Sequence, residues 1–124
     1  MSNVITWFEI PVTDFDRANK FYSSLFAVET LHTEQFGPWK MGFFPMETQE
    51  GVGGAIVFGE NCTPNAGGVL VYINAGEDLT EMMNRIEPAG GKVIKQKTLI
   101  KEDIGYFAMF MDTEGNKLAL HSRK

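Results

Sequence analysis

Two helical stripes spaced by one constant interval constrain this chain more than any other feature. Ala18, Phe21, Tyr22 and Leu25 fall at i, i+3, i+4 and i+7, one apolar face of a helix. Leu79, Met82, Met83 and Ile86 repeat that pattern 61 residues later. Amphipathic helices share a period, so the stripes alone would prove little. Their surroundings recur as well. An apolar, β-branched run, Ile5 to Val12, precedes the first stripe, and Gly68 to Ile73 precedes the second. Three strand-like runs follow each stripe: 28–33, 39–45 and 54–58 in the first half, 92–99, 106–111 and 117–122 in the second. The order implies an internal duplication of a β-α-β-β-β unit.

The punctuation agrees. Thr13 with Asp16 three residues on has the form of a capping box and starts the first helix. Gly90 and Gly91 end the second, which is expected over about 77–87. Tyr106 to Ser122 predicts two strands and a tight turn, with Asp112 and Gly115 supplying the turn and Asn116 leading into the last strand. A Gly-, Asn- and Pro-rich segment, 59–67, separates module one (4–58) from module two (68–122). Units of that size are small to stand alone, so residues 1–124 are expected to form a single domain.

Composition narrows the function classes. With 44% apolar and 22% charged residues the chain is ordinary globular material. The net charge is −5 and the basic residues are scattered, which argues against nucleic acid as a partner. No apolar run approaches the ~20 residues of a membrane span, and the first residues lack the pattern of a secretory leader. A cytoplasmic protein without membrane partners is the expectation. Cys62 is the single cysteine, so neither an internal disulfide nor a CxxC metal site is available.

The segments WFEIPVTDFDRANKFYSSLF, VYINAGEDLTEMMNRIEPAGGKV and DTEGNKLALHS together resemble the vicinal oxygen chelate superfamily, the glyoxalase, bleomycin-resistance and extradiol-dioxygenase fold. The resemblance covers nearly the whole chain. It implies an α+β architecture, two tandem β-α-β-β-β modules whose curved sheets form a cup-shaped half-barrel with the helices outside, and commonly a homodimer. It also implies a divalent metal held by four side chains. Carried over residue by residue, the first-strand ligand falls on Trp7, seven residues before Asp14, and its counterpart 61 residues on is Gly68. The last-strand Glu falls on Ala119, and the matching strand of module one, Gly53 to Phe58, carries no donor. The resemblance therefore points to a member deficient in metal ligands, with no cofactor.

Side chains two apart on a strand share a face. Glu9 thus accompanies Trp7, and His121 accompanies Ala119; both are expected to face the cup as a general acid/base pair. Trp7, Trp39, Phe43 and Tyr72 are the candidate walls of a ligand pocket. His32, beside Glu34, reads as a surface residue, and the segment 100–105 as a loop over the mouth of the site. The expected function is a glyoxalase- or bleomycin-resistance-like protein that binds or acts on a small molecule without the usual metal. The alternatives are a non-catalytic sequestration protein for a hydrophobic or aromatic compound, and a metal-dependent lyase or dioxygenase with displaced ligands.

Overall fold

Asp14 closes the first strand run and caps the helix after it: its carboxylate accepts the Arg17 N–H at 3.1 Å, in the manner of a helix N-cap. The capping residue is therefore Asp14 rather than Thr13, one position later than the sequence pattern suggested. In the computed structural model, which describes residues 3–124, the chain divides into two units, the first ending at Pro64 and the second beginning at Asn65.

The first unit runs β1 (Trp7–Pro11), α1 (Phe15–Leu25), β2 (His32–Phe36), β3 (Trp39–Phe43) and β4 (Gly53–Phe58). Its sheet has the order β1-β4-β3-β2, with β1 parallel to β4 and the other pairs antiparallel. Helix α1 lays Phe15, Ala18, Phe21, Tyr22 and Leu25 against the sheet, all buried, so the expected stripe is the core stripe. Gly42 permits the close approach: a Cβ there would stand 3.0 Å from Ile56 Cγ1 and 3.2 Å from Phe15 Cζ.

The second unit repeats the scheme with β5 (Tyr72–Asn74), α2 (Thr80–Ile86), β6 (Lys92–Lys101), β7 (Gly105–Met111) and β8 (Lys117–Ser122). Its sheet order is β5-β8-β7-β6, again with one parallel pair, β5 with β8. Leu79 and Ile86 are fully buried, as are Ala108, Phe110 and Leu120 of the sheet. The fold is α+β, with two helices and two four-stranded mixed sheets among the described residues.

The β7–β8 hairpin forms as its turn residues dictate. Asp112 Oδ1 accepts the N–H groups of Glu114 (2.8 Å) and Asn116 (2.9 Å), while Oδ2 accepts the Asn116 side-chain amide at 3.0 Å. Gly115 takes φ +93°, which a residue without Cβ does cheaply.

Several element bounds differ from the sequence expectation, and hydrogen bonds at the element ends account for the clearest of them. Strand β2 begins at His32, not 28, because the end of α1 consumes the intervening residues. Ala27 is left-handed (φ 56°) and the Val28 N–H returns to Ser23 O at 2.9 Å, a Schellman closure. Asn19 then holds the next turn, its Oδ1 accepting the Leu31 N–H at 3.1 Å and its amide donating to Thr30 Oγ1 at 3.0 Å. Strand β5 spans only Tyr72–Asn74, and Val69, in the run expected to start it, is 93% exposed. Helix α2 starts at Thr80 because Asn74 and Asp78 spend their side chains on turns, accepting the N–H groups of Gly76 and Thr80, both at 2.9 Å.

Candidate functional site

One face of the first sheet is taken up by α1. The other carries the residues singled out on β1 and β3. Trp7 and Glu9 stand together there, the indole N–H donating to Glu9 Oε2 at 3.2 Å. In the sheet register Glu9 lies beside Ala55, Ala55 beside Phe43, and Phe43 beside His32, so the four form one row across the strands. Glycine and alanine on central β4 add no bulk to that row, and neighbours cover them: Gly53 lies under the Met46 sulfur and the Trp7 ring, and Ala55 is fully buried. Phe43 gathers the aromatic groups: Trp7 and His32 each have ring centroids 5.9 Å away, and Phe36 is at 6.4 Å. Trp7 remains 39% exposed and Glu9 is exposed, so this surface is open to solvent.

Trp39 shares the β3 face with Phe43 but serves a different end of it, its indole N–H donating to Glu60 O at 2.9 Å. His32 is exposed, as expected, and bonds Glu34 Oε2 at 2.8 Å. Cys62 donates to the Glu60 carbonyl at 3.5 Å. Burial pushes its thiol up from the ordinary value and the Glu9 charge adds to the rise, so the thiolate needed for reactivity is disfavoured.

In the second unit, β8 presents His121 and β5 presents Tyr72 to one cleft of about 740 Å³. Ile100 and Ile104, at the end of β6 and the turn after it, form its apolar side; Asn74, Glu77 and Arg123 add polar groups. His121 is half-buried, and its Nε2 lies 2.8 Å from Ile104 O. A carbonyl only accepts, so Nε2 carries the hydrogen and the neutral ring keeps its lone pair on Nδ1. Gly105 lets the turn come this close: it has φ +111°, and a Cβ there would stand 2.9 Å from Arg123 Cα.

The structure thus brings Trp7, Glu9 and Phe43 together in one unit, and Tyr72 and His121 in the other; Trp39 stands apart from the first group. Arg123 was missed from the sequence, although it lies two residues beyond His121 and the alternation of β8 carries on to it.

The four-donor metal set expected of the resembling family does not fit these residues. Ala119 is fully buried between Tyr72 and Met109 on the neighbouring strands, and Trp7 offers only an indole N–H. The 61-residue offset used to place the third position applies to the helices and not to the strands. The residue after β1, Val12, donates to Val57 O, and its equivalent after β5 is Ala75, donating to His121 O, which is 63 residues on (75 − 12). The counterpart of Trp7 is therefore Leu70 instead of Gly68, and it too has no donor. Among the described residues no three His, Cys, Asp or Glu side chains gather as a metal-binding group. Nor, among them, is any helix long and apolar enough to cross a membrane.

Residues 4–120 match the Glyoxalase/Bleomycin resistance protein/Dioxygenase superfamily. Solved structures with the same fold include a glyoxalase/bleomycin resistance protein from Albidiferax ferrireducens T118, 17% identical with TM-score 0.65, covering 98% of this chain and 100% of that one. TnmS3, an antibiotic binding protein from Streptomyces sp. CB03234, is 20% identical with TM-score 0.62 over 100% and 99% of the two chains. Glyoxalase I from Zea mays is 16% identical with TM-score 0.69, over 96% of this chain and 44% of that one, so the present chain spans less than half of the maize enzyme. At these identities the likeness is one of fold. No curated protein matches the chain in sequence.

Proposed function

The chain belongs to the Glyoxalase/Bleomycin resistance protein/Dioxygenase superfamily, and on that premise we propose that it binds a small, largely apolar or aromatic molecule without the family's usual metal. The observation that carries this reading is the Trp7–Glu9–Phe43 group: an exposed indole and a half-buried phenyl ring beside one exposed carboxylate. Such a surface offers large stacking area at low entropic cost and one polar handle for orientation. The donors that would hold a metal are side chains of the wrong chemistry, so binding energy has to come from these rings. The same reading has the protein acting in the cytoplasm as a homodimer, the assembly that the family resemblance implies; light scattering tests the dimer.

One observation favours a second, enzymatic reading. The His121 ring is held in a single tautomer with Nδ1 left as an acceptor, in a cleft that Tyr72 also lines. That is the arrangement of a proton-transfer residue.

The two readings separate by mutation. Screening aromatic compounds against the intrinsic fluorescence of the protein identifies a ligand. Trp7→Ala should then weaken its binding by roughly tenfold, and unchanged affinity would overturn the reading. If the ligand is turned over, His121→Ala should abolish turnover while affinity is kept.

A further inference from the structure

The open face of the first sheet has a charge pattern that aromatic packing does not require. Among the described residues of its four strands the ionisable groups on this face are Glu9, His32 and Glu34. The only Lys or Arg in those strands, Lys40, lies on the opposite face with its Nζ 4.5 Å from the Phe15 ring centroid. His32 and Glu34 satisfy each other at 2.8 Å. Glu9 has no such partner: one carboxylate oxygen takes the Trp7 N–H, and no Lys or Arg ion pair to it occurs among the described residues. Its charge reaches Cys62, where it helps to raise the thiol.

We propose that this face recognises flat aromatic molecules carrying a positive charge, a protonated or quaternary nitrogen on or beside a fused ring system. The inference rests on the small-molecule reading above and names its ligand class. The ring stacks on the exposed Trp7 indole, with Phe43 tilted 56° beside it as a side wall; the face of an aromatic side chain attracts cations. The charged nitrogen lies against Glu9, which keeps its bond from the Trp7 indole and so holds its orientation. A neutral ring would gain only the stacking. An anionic ring would meet that carboxylate, with no Lys or Arg among the described residues of the four strands on this face to answer it.

Three probes of similar shape test this: proflavine as the cation, acridone as the neutral ring and 9-anthracenecarboxylate as the anion. Titration calorimetry gives the affinities. Fluorescence reports the location, because the two tryptophans of the chain, Trp7 and Trp39, both belong to this face. Proflavine should bind roughly tenfold tighter than acridone, and the carboxylate weakest. Glu9→Gln, which keeps an acceptor for the Trp7 N–H, should bring the proflavine-to-acridone affinity ratio from roughly tenfold down to about one; circular dichroism verifies its fold. Equal affinity of the three probes, or a proflavine advantage that survives Glu9→Gln, would overturn the ligand class and leave the small-molecule reading standing. If no probe of any charge perturbs the tryptophans, both fall.

Discussion

His121 Nε2 donates to the carbonyl oxygen of Ile104 at 2.8 Å, tying the last strand of the second unit to the turn between β6 and β7. One bond does two things. It fixes the imidazole tautomer, and it holds the isoleucine side of the cleft in place next to Tyr72. The ring that could move a proton is thus also a structural clamp.

His121→Ala should therefore loosen the turn as well as remove the base. We expect a stability loss of about 1 kcal/mol, the net worth of one such hydrogen bond, together with faster amide exchange at 102–105. Urea denaturation and hydrogen-exchange mass spectrometry check the two parts. Unaltered exchange in the turn would show that the bond does not hold it.

Asp112 is the side chain on which the closing hairpin depends most. It is 6% exposed and accepts three hydrogen bonds from Glu114 and Asn116. Asp112→Ala leaves those donors buried without an acceptor and should cost about 2–4 kcal/mol, read as a lower urea midpoint. Asp112→Asn keeps one acceptor oxygen and should cost less.

That hairpin was legible in the sequence because its determinants are local: an Asp, a Gly and an Asn within five residues, flanked by alternating strands. The doubled unit was legible for the same reason. Much of what escaped was decided at a distance. The start of β2 depends on Asn19, twelve residues earlier in the chain, reaching over to Leu31. The turns into α2, by contrast, are local, made by Asn74 to Gly76 and Asp78 to Thr80, but the apolar stripe gave no sign of them. Alternation placed Glu9 beside Trp7 correctly, since a strand has only two faces. It gave no sign that Phe43 would draw Trp7, His32 and Phe36 around itself, because that depends on which strands become neighbours. Nor did periodicity show the irregular register of β6, whose shifts between Val93 and Lys101 break the alternation of an edge strand.

Asp78 gives the clearest pH dependence. The Thr80 hydroxyl at 2.6 Å, then the Thr80 N–H and the Lys97 ammonium, hold its carboxyl far below the usual carboxylate range. A depressed folded-state pKa means stability that is complete above the unfolded value, about 3.9, and lost as pH falls toward the folded one. The group is exposed, so the effect is screened and small. Melting temperatures measured between pH 6 and 2 should fall less steeply in Asp78→Asn than in the wild type, and parallel curves would contradict the assignment.

The central claim is that binding needs the rings of this chain and no metal. The direct measurement is calorimetric titration of acridone into protein treated with EDTA, repeated after adding one equivalent of zinc, nickel or ferrous iron. The account predicts the same affinity in every case, within about twofold. Binding that disappears on chelation and returns with one tightly held metal ion would contradict it.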